Sequence, residues 1–307
     1  MPGNPRAASL TPDPREKLTF VLPLHGARDV QSARLNLLPS IDRFFEVEDI
    51  EELLVIGRSG EYQSFDFGDV VSEPLASRIR ALDERELMPP VRSLLPLSGY
   101  DRQQVLKLTV SGRVRTRLYC TLDADVYLVR TCGLSDWWSD GKCLYNPCSM
   151  DVYPRWWRAA AKHLGYPLDF DRRRGFGVAP ALLYTNIAAD LVDFLETQRK
   201  GVAHAVRHRA TEYSLYWLYV LKNHASCDLY LDDGPRLFGN PVWRATDVEP
   251  EGVRTFVDRQ FRPGDDYFIS LLQSTSGVVD RSVLEYIRGK IREAAPTRTA
   301  ETASKNR

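Results

Sequence analysis

No apolar run in the 307-residue chain approaches the roughly 18 residues that a membrane-spanning helix needs. Even the stretch around Leu215 to Leu221 is broken by polar residues, so no transmembrane segment is expected. Cysteine is scarce and odd in number, with five residues at positions 120, 132, 143, 148 and 227. That excludes a disulfide framework in a chain of this size and predicts free thiols. Net charge is absent as well, 41 Lys and Arg facing 41 Asp and Glu. The balance argues against a polybasic surface for nucleic acid and against an acidic solvating tail. The N-terminal Met1 to Lys17 has no apolar segment like that of a signal peptide, and its Pro, Ala and Ser content reads as a flexible leader on a cytoplasmic protein. A Walker-type Gly-Lys-Ser/Thr loop, a Gly-x-Ser-x-Gly elbow and a Rossmann glycine fingerprint are all missing, and no internal repeat is present.

What is there suits a substantial core: 43% of the residues are hydrophobic and 10% aromatic, too many for a disordered chain. From Leu18 short β-rich runs alternate with stretches of helical periodicity, the pattern of an α/β fold with a mainly parallel sheet flanked by helices. Strands are predicted at 18–22, 53–56, 91–97, 118–122, 126–129 and 267–272. Helices are predicted at 33–44, 73–87, 100–112 (with Asp101 as a possible cap), 156–164, 181–195, 211–222 (capped by Thr211) and 279–291. Residues 18–287 read as one folded domain, 18–130 forming its first half and 131–287 its second, and 288–307 as the end of the last helix and a basic frayed tail. The neutral total hides an asymmetry: residues 288–307 are net +4 and residues 1–17 net +1, so 18–287 are net −5. The tail is a candidate for weak contact with an anionic membrane surface, and the acidic domain offers no general attraction to a phosphate-rich ligand.

Leu118-Tyr119-Cys120-Thr121-Leu122-Asp123-Ala124-Asp125-Val126 is the most informative stretch. An Asp-x-Asp alone says little, and the chain has a second in Asp169-Phe170-Asp171. Context separates them, because Asp123 and Asp125 end an apolar strand, where α/β sheets bind ligands. Two carboxylates one small residue apart can present oxygens to a hard divalent cation. They can equally solvate a strand end.

Other clusters carry similar alternatives. His204, His208 and Glu212 would share one face of a continuous helix, as a zinc site requires, yet Arg207 and Arg209 crowd the same turn. Cys143 and Cys148 lack a matching second half-site, and Cys120 reads as a small buried strand residue. Trp156-Trp157 beside Ala159 to Ala161 fits core packing, whereas Trp137-Trp138, in a Ser/Asp/Gly loop, is the better candidate to present aromatic faces to a ligand. The Asp171-Arg172-Arg173-Arg174-Gly175-Phe176-Gly177 run is either a solvated loop or an anion site.

Gln103-Gln104-Val105-Leu106-Lys107-Leu108 followed by Thr121-Leu122-Asp123-Ala124-Asp125-Val126 resembles the helix and DxD segment of GT-A-fold, metal-dependent glycosyltransferases. With Thr211-Glu212-Tyr213-Ser214-Leu215-Tyr216 it resembles, more narrowly, a bacterial family of predicted glycosyltransferases catalogued mainly as a domain of unknown function. The resemblance runs from Leu18 to about Arg288 and is specific only around these segments. It implies a nucleotide diphosphate sugar donor in the first half and a carbohydrate or other hydroxyl acceptor shaped by the second. It further implies Mn²⁺ or Mg²⁺ on Asp123 and Asp125, with Asp123 also near the donor ribose. Lys107 would counter phosphate charge, and His25 and Arg28, at the exit of the first strand, would contact the nucleotide. Glu212 would be the general base of an inverting transfer; a retaining transfer requires none. A non-catalytic nucleotide- or carbohydrate-binding protein and a nucleotidyltransferase are the alternative readings.

Overall fold

The computed structural model describes residues 16–58, 67–88, 97–139, 141–168, 174–224, 226–231, 236–239, 241–248, 252–262, 267–274 and 276–294. Strands β1 (Leu18–Pro23), β2 (Ile50–Gly57), β3 (Ile79–Asp83) and β4 (Leu118–Thr121) run parallel in the order β4-β1-β2-β3. All six residues of β1 are buried, as expected of a central parallel strand covered on both faces. The α/β class and mainly parallel sheet are those the alternation predicts. Helix α1 (Gly26–Ser32) passes through a π-helical stretch, Ala33–Leu37, into α2 (Leu38–Phe44), so the first helical segment starts seven residues earlier than its apolar spacing suggests.

The predicted helix over 73–87 is a correction. Only the single turn α3 (Glu73–Ala76) and a 3₁₀ turn at Glu84–Glu86 are helical there, and Ile79 to Asp83 pairs in register with Leu53 to Gly57 as β3. Its Ala, Leu and Arg residues favour helix locally, but an open edge of β2 outweighs that preference. Of the strand predicted at 91–97, residues 91–96 lie outside the described residues. Helix α4 (Gly99–Thr109) follows, and its cap is Ser98, not Asp101. Ser98 Oγ accepts the Asp101 backbone N–H at 3.1 Å and donates to Asp101 Oδ2 at 2.8 Å, a reciprocal arrangement that fixes the first turn.

The strand predicted at 126–129 is β5 (Val126–Leu128), followed by α5 (Leu134–Trp137), the hairpin β6 (Trp138–Ser139) and β7 (Lys142–Cys143), and β8 (Pro147–Ser149). Helix α6 (Pro154–Leu164) precedes β9 (Arg174–Phe176), which pairs antiparallel with β8. The predicted helix over 181–195 is half wrong. Ala181 to Tyr184 forms β10 (Ala181–Tyr184), antiparallel to β4 at the edge of the main sheet, and α7 (Thr185–Gln198) starts only after it. A short, fully buried Ala-Leu-Leu-Tyr run satisfies both periodicities, so pattern alone cannot separate strand from helix there.

Helix α8 (Val202–Arg207) stops before Arg209, whose φ of 76° is left-handed, and α9 (Glu212–Asn223) starts afresh, capped by Thr211 as predicted. The continuous helix that would align His204, His208 and Glu212 therefore does not form. After the turn α10 (Ser226–Leu229), β11 (Arg236–Phe238), α11 (Gly252–Gln260) and β12 (Tyr267–Leu271), the last described element is α12 (Arg281–Glu293). Strands β11, β12 and β5 form a second, three-stranded sheet. Among the described residues no helix is long and apolar enough to cross a membrane, and the tail beyond Ala294 lies outside them.

Trp137 is fully buried, packed edge-on to Phe20 at 5.9 Å and against Phe45 at 4.9 Å, and Trp138 is buried under the Arg117 guanidinium. The expectation that this pair faces a ligand is overturned, because both rings complete the core beneath the main sheet. Cys120, Cys132 and Cys143 are buried free thiols, as predicted.

Candidate active site

Parallel strands end on one edge, and β1 and β4 carry their exits there together. Leu122 extends the ladder by one bond, its N–H donating to Val21 O at 2.8 Å. The chain then leaves the main sheet: Val126 N donates to Asp123 O at 3.3 Å, and β5 pairs with β12 in the second sheet. Asp123-Ala124-Asp125 is thus the hinge between the two sheets. The end of β12 holds it in place, with Leu272 N donating to Asp125 O at 3.2 Å and Ser274 N donating to Asp125 Oδ2 at 2.9 Å.

Helix α4 lays Lys107 behind this hinge. Its ammonium is buried and reaches Asp123 Oδ1 at 2.6 Å and Glu212 Oε1 at 3.1 Å. It also sits 5.2 Å from the centre of the Tyr213 ring. Burial works against the Lys107 charge, but the carboxylates of Asp123 and Glu212 overcome it and hold the ammonium well above its usual range. Burial raises Glu212 in spite of Lys107, and the nearby charge of Asp123 adds to the rise. Tyr119 OH donates to Lys107 O at 2.9 Å and Thr121 Oγ1 meets Tyr213 OH at 2.9 Å, so β4 fixes both α4 and the first turn of α9.

These groups open into a cavity of about 620 Å³. Among the described residues lining it, Asp29, Asp123, Asp125 and Glu212 face a single lysine, with His25 beside them. Burial and the charge of Asp123 raise the Asp125 carboxyl to about 6. Burial likewise raises Asp29, which accepts the His25 N–H at 2.9 Å and Gln103 Nε2–H at 2.9 Å. With Lys107 on Asp123 Oδ1, Oδ2 is left for a further partner. An all-oxygen, partly buried donor set with excess negative charge fits a hard divalent cation. Nearby, Gln104 and Asn146 line the cavity, and each has a buried side-chain oxygen, Oε1 and Oδ1, with no hydrogen-bond partner.

The outer wall is aromatic. Tyr153 and Trp156 stack with ring centres 4.0 Å apart, and Trp157, Phe176, Trp243 and Tyr100 also line the cavity. Tyr100, Tyr153 and Trp243 rank among the most exposed large apolar side chains. Trp157 lies so close to Gly175 that a Cβ on that glycine would come within 2.3 Å of its ring.

The sites expected from sequence divide accordingly. Asp123, Asp125, Lys107, Glu212 and His25 meet around one cavity. Arg28 does not join them; it is exposed on the first turn of α1 and is not among the lining residues. The aromatic assignment is reversed, Trp156 and Trp157 lining the cavity while Trp137 and Trp138 are core. Asp169, Asp171, Arg172 and Arg173 lie outside the described residues. Asp29, Gln103, Gln104, Asn146 and Ser274 were missed. Gln103 and Gln104 stand in the segment that carries the resemblance but were not singled out as site residues, and the start of a helix at Gly26, which brings Asp29 to His25, was not predicted.

Several solved structures are similar to the chain. The galactosyltransferase LgtC, in complex with donor and acceptor sugar analogues, is 12% identical with a TM-score of 0.43, over 88% of this chain and 95% of that one. An active-site mutant of LgtC is 13% identical with a TM-score of 0.47, over 94% and 99%. The bifunctional glycosyltransferase WbbM is 12% identical with a TM-score of 0.47, over 92% of this chain and 51% of WbbM. No curated protein matches. A family model described as a family of unknown function, DUF6492, matches residues 15–294. The chain belongs to that family.

Proposed function

We propose that the protein is a glycosyltransferase that moves a sugar from a nucleotide diphosphate sugar to a hydroxyl acceptor and depends on Mn²⁺ or Mg²⁺. The observation that carries this reading is the convergence of Asp123 and Asp125, at the exit of a parallel strand, with Lys107 and Glu212 on one acidic cavity rimmed by aromatic rings. Asp123 and Asp125 would hold the cation. When bound, it supplies Lewis-acid neutralisation of the charge gathering on the departing diphosphate.

The chain's own groups divide the remaining work. Lys107 fixes one oxygen of Asp123 and aims the other outward, so the carboxylate is pre-oriented before a donor arrives. His25 offers its imidazole to the nucleotide, its backbone anchored by Asp29. Gln104 and Asn146, on the cavity wall, offer their amides to sugar hydroxyls. Glu212, buried and raised above the usual carboxylate range, accepts the acceptor hydroxyl's proton. Tyr153 and Trp156 present faces to the apolar side of an acceptor sugar.

The test is to incubate the purified protein with a panel of nucleotide sugars, with and without Mn²⁺, and to measure the nucleotide product. Slow, metal-dependent release of nucleoside diphosphate supports transfer. Pyrophosphate released from a nucleoside triphosphate instead would mark a nucleotidyltransferase, and binding with neither release a non-catalytic module.

A further inference from the structure

Three of the chain's five histidines converge on one spot away from the cavity. His163 comes from the last turn of α6, His204 from α8 and His208 from the residue that ends α8. Each offers a ring nitrogen, and these nitrogens all lie within 4.8 Å of one another. None of the three lines the cavity. The sequence spacing points to His204, His208 and Glu212, but the left-handed turn at Arg209 carries Glu212 to Lys107, and α6 supplies His163 instead.

We propose that His163, His204 and His208 form a binding site for a borderline-soft divalent transition metal, Zn²⁺ being the type ion. His208 Nδ1 lies 2.8 Å from His204 O. A proton on Nδ1 makes that bond and leaves Nε2 as the lone-pair donor, the backbone-oriented imidazole typical of metal ligands. A tetrahedral ion with bonds near 2.0 Å places its nitrogens roughly 3.3 Å apart, so a small inward turn of partly exposed rings completes the site. The neighbours explain the choice of metal. Among the described residues no carboxylate joins the cluster, so the oxygen ligands that Mg²⁺ or Ca²⁺ need are missing. Neutral imidazoles suit zinc, cobalt, nickel or copper. The fourth position is open to water or an anion.

The ion would tie α6 to α8. The opposite end of α6 carries Tyr153, Trp156 and Trp157 into the cavity wall, and α8 leads directly to Thr211 and Glu212. The clamp therefore orders both sides of the acceptor wall. It does not depend on the proposed transfer activity.

The test uses tag-free, full-length protein carrying Asp123→Asn and Asp125→Asn, which silences the carboxylate site, titrated with Zn²⁺ by calorimetry at neutral pH. Co²⁺ serves as an optical probe of tetrahedral nitrogen coordination. We expect one bound ion per chain and a melting temperature that rises with Zn²⁺. His163→Gln and His208→Gln, each checked for fold by circular dichroism, should each weaken binding at least about 30-fold and abolish the melting shift. No stoichiometric binding, or binding unchanged in both variants, would overturn the proposal.

Discussion

Lys107 and Asp123 meet at 2.6 Å, one buried in α4 and the other at the hinge between the two sheets. A lysine in this position is costly to bury, and it is held only because Asp123 and Glu212 both receive it. Replacing Lys107 with Met leaves Glu212 and one oxygen of Asp123 uncompensated. The expected loss is about 3 kcal/mol of stability, read as a lower urea midpoint. The Lys107→Met, Glu212→Gln double variant should recover part of that loss, since it removes the orphaned charge. A double variant less stable than the sum of the two singles would contradict the pairing.

Glu212→Gln separates donor binding from transfer. The amide keeps the shape and can still face Lys107, so the affinity for a nucleoside diphosphate with Mn²⁺ should stay within about threefold. The transfer rate should fall by about 10²-fold or more, the usual worth of a general base. Equal losses in both would place Glu212 on the donor instead.

Under the proposed function the stacked pair of Tyr153 and Trp156 faces the acceptor. Trp156→Ala should raise the acceptor KM by about tenfold, in line with about 1.4 kcal/mol for one lost aromatic face. Donor affinity should not change. Trp138→Ala, by contrast, should lower the melting temperature, because that ring is buried in the core.

The sheet was legible where the strands are long, apolar and ended by Pro23 or Gly57, and so was the hinge at Asp123 and Asp125, because strand-exit position is visible in sequence. Two of its strands were not. Ala181 to Tyr184 and Ile79 to Asp83 carry helix-compatible residues, and only pairing with β4 and β2 makes them strands. Of the charged residues around the cavity, Asp123, Asp125, Lys107 and Glu212 were legible, Asp29 was not and Arg28 falls outside, while the aromatic pairs were assigned the wrong way round. The polar flanks of Trp137 and the Ala-rich flanks of Trp156 pointed the wrong way, because packing of Trp137 against Phe20 and Phe45 decides its burial. The Lys107 to Glu212 bond spans 105 residues, a distance no local pattern encodes.

Metal-dependent donor binding at the hinge is the central claim, and calorimetry tests it most directly. Nucleoside diphosphates are titrated with Mn²⁺ into the wild type, Asp123→Asn, Asp125→Asn and, as a control, the Asp169→Asn, Asp171→Asn double variant. Both hinge variants should lose the Mn²⁺-dependent affinity while keeping wild-type circular dichroism, and the control should bind as the wild type does. Unchanged affinity in both hinge variants, or an equal loss in the control, would contradict the account.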